Sequence, residues 1–434
     1  MNSLTAKNFS NLLVASCAIT MAFAAVGNCN ERIGSDRMQI AESTSSDDSN
    51  AIKIGYVVPL SGASEGAGKQ IVNGMQLYLD QIHQRMAGRP VNVIIENDGT
   101  NPGTAVEKVH KLVKQDHVSM ISGVYMTNAL YAMAPVVESY QLPFIVVSSG
   151  AADVTQRKRQ KWLVRPGYTS TQLGFVLGNY AGKKAGFKKV ACIGADYGFG
   201  WEGVGSFQQE FERLGGKVVK KLWAPLGLTD FTEILKQIPP DVDAVIEVTV
   251  GQQVDVIHKE YHNLGLKAPV LGIANTFDSW ILPHMGDEVI GGRCSTLYTP
   301  TLNTPANKAF VKAFKSKYNV DPSYVSEFGY TSMMFIHRAV EALHGKVEDK
   351  EALLAALKKV EIKDAPRGPL KIDAYNDAIS NVYITRVDRV GGALQNTVID
   401  TYPMVSQFWT FKPEEIIAQP SYSHEYPPCK FCVK

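Results

Sequence analysis

From residue 51 onward the chain keeps one beat: a short β-branched run, then a stretch with apolar residues at helical spacing. The first unit is IKIGYVV, followed by a helix from about Lys69 with Ile71, Met75, Leu79 and Ile82 on one face. PVNVIIEND and a helix from about Gly103 form the second; VSMISG, a helix after Thr127 and the strand FIVVSS complete the series. Parallel neighbours need a crossover, so strands alternating with helices specify βαβ units. After WLVRPGYTSTQ a second series begins, with strands KKVACIGA, KVVKKLW, DAVIEVTV and APVLGIA separated by helical segments. The expected fold class is therefore α/β, with two doubly wound sheets of similar size. A length of 434 residues exceeds the usual single domain and agrees with two globular units. Helices at about 305–318 and 323–343 and late strands such as NVYITRV must pack back onto sheets already begun.

In an open parallel sheet, ligands bind beyond the carboxyl ends of the strands, where connections switch direction. Two facing sheets put two such rims around one cleft. The residues after the strands are 61–68, 97–100, 125–128, 148–151, 196–200, 249–252 and 274–276, nearly all small, glycine or hydroxyl-bearing. Loops in general share that composition, so it does not by itself separate site from connection. The first of these loops, in VPLSGASEGAGKQ, resembles a phosphate cradle. A Walker loop needs glycine where Ala63 stands and a hydroxyl after Lys69, where the chain has Gln70; the dinucleotide fingerprint needs glycine at Ile71. Both motifs fail, and Gly62, Gly66 and Gly68 are read instead as places where backbone approaches a small ligand, with Ser61 capping or contacting it.

Lysine plus arginine (44) nearly balances aspartate plus glutamate (42), so no global field favours nucleic acid or an anionic surface. Lys7 precedes the apolar stretch LLVASCAITMAFAAVG, which ends in small residues and reads as an export signal over 1–27. At about 16 residues it is short for a span of ~20, although a retained anchor, or a lipoprotein through Cys17, stays open. Residues 28–50, including ESTSSDDSN, read as a disordered tether. Cys192 and Cys294 lie in or before strands, while Cys429 and Cys432 make one Cys-x-x-Cys pair, a local disulfide or two free thiols. One such pair has too few ligands for structural zinc. HKEYH places His258 and His262 four apart on a helix, but Lys259 stands where a zinc protease needs glutamate, and the histidines are expected to flank a buried stripe in solvent. No Gly-x-Ser-x-Gly elbow is present, and no base, nucleophile and orienter cluster can be placed, so an enzyme is not expected. The run RKRQK reads as a solvated loop or a docking patch.

The ordered series IKIGYVVPLSG, ENDGTNPGTAVEKVHKLV, AMAPVVESYQLPFIVVSSGA, DYGFGWEGVGSFQQEFERLGGKVV and DFTEILKQI resembles the extracytoplasmic solute-binding proteins of the leucine/isoleucine/valine-binding type, receptors for ABC transporters. The resemblance runs from Ala51 to the end. It implies a periplasmic receptor with two α/β lobes joined by three crossing strands, here near 165–168, 297–301 and 372–375. The lobes would comprise 51–167 with 300–373, and 168–299 with 374–410, leaving 411–434 as a tail. First-lobe ligand contacts carry over to Asn128 and Ala129, then Ser149 and Ala151, with Thr127 and Ser148 close by, where N–H groups and hydroxyls at a helix start suit a carboxylate. In the second lobe the family's tyrosine position falls on Phe199, its glutamate on Ala274 or Asn275, and a second aromatic on Val250. An α-amino acid would lose the partner of its ammonium, at a cost of roughly 3–5 kcal/mol. With Tyr168 and Phe199 as flat surfaces, and Trp201 as a further one, the site leans to an aromatic acid or amide. The closing stretch FWTFKPEEIIAQPSYSHEYPP also looks like a branch associated with aromatic degradation products. A linear amide or hydroxy acid, a branched-chain amino acid, and an exported sensor or amide-responsive regulator on the same fold are the alternatives. The expected partners are a small-molecule ligand and a membrane permease, with the receptor a monomer and no cofactor or metal.

Overall fold

The computed structural model describes residues 37–40 and 50–432. The expected export signal lies outside them, as does the expected tether except for Arg37–Ile40 and Asn50. The first sheet holds β1 (Arg37–Ile40), β2 (Ile52–Val58), β3 (Arg85–Met86), β4 (Arg89–Asn97), β5 (Met120–Gly123), β6 (Phe144–Val146) and β7 (Leu163–Val164), in the order β1-β4-β2-β5-β6-β7 with β3 on β4. β4, β2, β5, β6 and β7 run parallel. β1 pairs antiparallel with β4, Arg37 opposite Glu96. Part of the stretch read as disordered thus serves as an edge strand, since main-chain pairing asks only for extended backbone.

Its crossover helices are α1 (Glu65–Gln81), α2 (Pro102–Lys114) and α3 (Thr127–Ser139). α1 begins four residues before the expected Lys69. Gly66 and Gly68 lie inside it because of close approach rather than loop freedom: a Cβ on Gly68 would stand 1.7 Å from the Pro59 carbonyl oxygen. Ile71, Met75 and Leu79 form the buried stripe as expected. α2 starts where the Asn101 side chain accepts the Gly103 and Thr104 N–H groups and Pro102 occupies the first turn.

The second sheet contains β8 (Lys189–Ala195), β9 (Lys217–Ala224), β10 (Ala244–Val248), β11 (Val270–Ile273), β12 (Arg293–Thr296), β13 (Glu361–Ala365), β14 (Gly368–Ile372), β15 (Ala378–Val390) and β16 (Ala393–Val405). The order is β13-β14-β15-β12-β11-β10-β8-β9, with β16 on β15. β9, β8, β10, β11 and β12 are parallel, and β8 after Lys189 reads as a continuous apolar run because both faces are covered, while β10 breaks that pattern only at the buried Glu247. The helices of this half are α4 (Ser170–Asn179), α5 (Gly198–Arg213), the single turn α6 (Thr232–Leu235) and α7 (Gln253–Asn263).

Next come α8 (Pro305–Tyr318), α9 (Tyr324–Ala342) and α10 (Lys350–Lys358), which return to the first half. α9 starts at a reciprocal Ser323/Ser326 cap and lies along α1. The two backbones meet at glycines: a Cβ on Gly329 would be 2.1 Å from the Ile71 carbonyl oxygen, and one on Gly74 would be 1.7 Å from that of Ser326.

Three passages join the two halves, at 165–169, 297–304 and 359–360. The third lies before its expected place near 372–375. Residues 361–372, assigned from sequence to the first lobe, form a hairpin that pairs into the second sheet, Leu370 opposite Ser380. The hairpin turn still reaches the first lobe, where Arg367 stacks 4.5 Å over Phe328 and donates to the Pro166 carbonyl at 2.8 Å.

The tail after β16 forms a strap that includes α11 (Pro413–Ile417). Phe408 and Ile416 pack with Phe175, Tyr422 sits against Gly205, and Gln208 and Lys221 donate to the carbonyls of Pro428 and Pro427 at 3.0 and 2.6 Å. From the first lobe, Arg157 donates to the carbonyls of Gln419 and Ile416 at 2.6 and 2.7 Å. The strap ends in a disulfide between Cys429 and Cys432, which decides between the two states expected for that pair.

Candidate functional site

Both sheets change winding direction at the strands whose loops were expected to form the cleft. In the first, the chain goes from β2 outward to β4 and then across to β5; in the second, from β8 to β9 and then across to β10. The loops after β2, β5 and β6 therefore share one rim, and those after β8, β10 and β11 the other. The rims touch. A Cβ on Gly198, at the start of α5, would be 2.8 Å from Thr127 Cγ2 at the start of α3, and one on Gly251 would be 3.1 Å from the Ala63 carbonyl oxygen. Trp280 lies against Gly66, 2.9 Å from its Cβ position.

Neither α3 nor α5 has a side-chain cap, so two helix N-termini converge with main-chain donors unclaimed by caps. Thr127 and Ala129 are buried in the first turn of α3. Asn128 is half-buried and its side-chain oxygen accepts the Ala129 N–H at 2.9 Å, which leaves the Asn128 NH₂ as the donor. Ser148, Ser149 and Ala151 are buried in the loop after β6, and the two serine hydroxyls find no partner among the described residues. Across the cleft, Phe199 is buried in the first turn of α5, Val250 is buried after β10, and Asn275 donates to the Thr249 carbonyl at 3.0 Å. Thr249 is buried beside the Glu247 carboxyl, to which it hydrogen-bonds. Ser61 is placed differently. It is exposed on the outer lip, its hydroxyl accepting from Asn97 at 2.9 Å and its carbonyl from Thr100 at 3.1 Å.

Sequence reasoning found one tyrosine wall and missed most of it. Tyr168, in the first passage, packs against Tyr324 at 6.4 Å and Phe328 at 5.5 Å between ring centroids. The hydroxyls of Tyr168 and Tyr125 both interact with that of Tyr324, and Tyr197 lies within electrostatic reach of Tyr125 and Tyr168 and 6.2 Å from Phe199. Burial pushes Tyr125 up to about 12 and the other three well above the ordinary phenol value. All four stay neutral phenols, and the contacts among Tyr125, Tyr324 and Tyr168 use two of their O–H groups. Tyr125 fell inside an expected loop, and Tyr197 stands two residues before Phe199 in DYGFG. Tyr324 comes from α9, and nothing local in sequence joins it to them. Trp201 turns away from this group, its indole N–H donating to Asp196 at 2.9 Å.

Arg165 holds the serine loop from behind. It is fully buried, donates to the carbonyls of Ser149 and Ala151 at 3.2 and 2.6 Å, and pairs with Asp377 through Nε at 3.1 Å. That carboxylate compensates the buried charge. Elsewhere, His258 is buried rather than in solvent as expected. Its ring lies 4.9 Å from Phe277 and its Nε2 is 3.9 Å from Glu247, and burial lowers it to about 4. Among the described residues no group of three or more His, Cys, Asp or Glu could hold a metal ion.

The profile of the periplasmic binding protein family matches residues 51–393. The Leu/Ile/Val-binding protein homolog 6 of Brucella abortus (strain 2308) is 25% identical over 363 residues, covering 81% of this chain and 92% of its own. Among solved structures, an ABC transporter substrate-binding protein from Sphaerobacter thermophilus superposes with a TM-score of 0.78 at 30% identity, covering 82% of this chain and 98% of its own. An ABC transporter solute-binding protein from Rhodopseudomonas palustris BisB5, in complex with 3,4-dihydroxybenzoic acid, gives a TM-score of 0.78 at 30% identity, covering 82% and 99%. With two doubly wound lobes, three passages and rims that meet loop to loop, the chain belongs to the periplasmic binding protein family, among the Leu/Ile/Val-binding type receptors of ABC transporters.

Proposed function

We propose that this protein captures an aromatic carboxylic acid outside the cytoplasm and presents it to the permease of an ABC transporter. One observation carries the reading: donors for an anion and aromatic walls meet in the same cleft. The uncapped starts of α3 and α5 and the unpartnered hydroxyls of Ser148 and Ser149 suit a carboxylate. Tyr125, Tyr168, Tyr197, Tyr324 and Phe199 suit a ring, with phenolic hydroxyls left for its polar substituents. The complex of the Rhodopseudomonas relative, at 30% identity, supports the same class of ligand. Ligand contacts to both lobes would favour the closed arrangement, so capture and closure are one equilibrium. Export by the N-terminal apolar stretch accords with the family's extracytoplasmic role.

Thermal shift with benzoate, 4-hydroxybenzoate, 3,4-dihydroxybenzoate, leucine and isoleucine tests this. An aromatic acid at 100 times its Kd should stabilise the protein by about 2.7 kcal/mol. A strong shift with leucine and none with the ring acids would replace the aromatic reading by a branched-chain one. Conversion of any of these compounds to product would remove the receptor reading.

A further inference from the structure

Glu202 lies on the second turn of α5, buried, and its side-chain hydrogen bonds run to the opposite lobe. The Tyr131 hydroxyl, on α3, donates to Oε1 at 2.6 Å, and the Ala152 N–H donates to Oε2 at 3.0 Å. Asp153 N–H in turn donates to the Tyr131 oxygen at 3.4 Å. Ala152 follows directly on Ser148, Ser149 and Ala151, so the carboxyl group grips the candidate ligand loop on one side while Arg165 holds its carbonyls on the other. These bonds exist only while the lobes are together.

We propose that Glu202 is the positioning residue that couples ligand capture to lobe closure, its carboxyl group docking on Ala152 N–H and the Tyr131 hydroxyl to set the serine loop as the second lobe arrives. The proposal rests on the receptor reading above. It makes closure sensitive to protons. In an open receptor the group would stand in water near an ordinary glutamate value; in the closed one burial lifts it to about 8. The groups facing it are Tyr131 on α3, Asp153 in the loop, Arg165 and Tyr168 in the first passage, Tyr197 before α5 and Tyr422 in the strap. The hydrogen bonds from Tyr131 and Ala152 and the charge of Arg165 oppose the effect of burial, Asp153 adds to it, and burial prevails. The closed form thus holds its proton to higher pH than the open form. Closure is favoured fully below the open-state value and loses ground as pH rises through about 8.

Two measurements on the full chain test this together. The first is calorimetric titration with 3,4-dihydroxybenzoate at pH 6.0 and 8.5, for wild type, Glu202→Gln, Glu202→Ala and Tyr131→Phe. The second is the distance between spin labels at Glu107→Cys on α2 and Lys259→Cys on α7, without ligand, at the same two pH values. Wild type should bind at least tenfold more weakly at pH 8.5 and show longer distances there. Glu202→Gln should remove the pH response, and Glu202→Ala and Tyr131→Phe should lengthen the distance at both pH values. Unchanged distances and an unchanged pH response in Glu202→Gln would overturn the proposal. If wild type binds none of this acid, the ligand reading fails, and the label distances still decide the latch.

Discussion

Arg165 carries more connections than any other side chain near the cleft: the serine loop, the first passage and, through Asp377, the start of β15. Arg165→Met would strand Asp377 and two carbonyls, and should cost roughly 3–5 kcal/mol in urea denaturation. Ser149→Ala removes a hydroxyl but no structural contact, since that Oγ bonds nothing among the described residues. It should leave the melting temperature within a degree or two and weaken an aromatic acid about 10- to 100-fold by calorimetry, the worth of a hydrogen bond to a charged group. Loss of stability without loss of affinity would remove Ser149 from the site. At this scale the sequence was informative where a residue follows a strand, because strand ends are marked by composition: Thr127, Ser148, Ser149, Ala151 and Phe199 all come to the rims. It was blind where contact depends on a remote element. Tyr324 reaches the cleft from a helix far along the chain, Glu202 follows Phe199 by three residues but takes its partners Tyr131 and Ala152 from the other lobe, and His258 looked solvent-facing because its helix stripe gave no sign of Phe277, which arrives from another loop.

Helices and strands were easier to read than the reasons for their glycines. Residues 65–81 looked like a loop followed by a helix because Gly66 and Gly68 weaken any local helix signal. Only the neighbouring backbone of Pro59 and the ring of Trp280 show why no side chain fits there. The same logic governs α1 against α9. Gly329→Ala would place a methyl group against the Ile71 carbonyl and should lower stability by about 1–3 kcal/mol, or prevent folding. A thermal melt equal to wild type would mean the helices can part without cost. The hairpin of β13 and β14 went to the wrong half for a related reason. Pairing partners such as Leu370 and Ser380 are set by tertiary register, which a short alternating segment does not encode.

For the molecule as a whole, the strap is the feature that a reading of motifs missed. Its cysteines were legible, but not its path from α5 and β9 to Arg157 in the first lobe. Deleting 411–434 should lower the melting temperature more than Cys429→Ser/Cys432→Ser, because the disulfide closes so short a loop that it contributes of order 2 kcal/mol or less. The deletion also uncovers Phe175 and frees Arg157. Equal melting temperatures for the two variants would mean the strap merely rests on the surface.

The way the chain weaves between its halves also bears on how the protein is made. The first sheet is complete by Val164, yet the helix that covers the Gly74 face of α1 does not emerge until residues 324–342, after β12 of the second sheet. The second sheet in turn waits for β13 to β16, and the strap comes last. The first lobe cannot finish until α10 has emerged, at residue 358, and the second not until β16 and the strap, so a nascent chain stays unfinished, with apolar faces uncovered, through most of its synthesis. A chain built this way suits delivery to its compartment unfolded, and separate expression of either half would yield fragments with one face of a core missing.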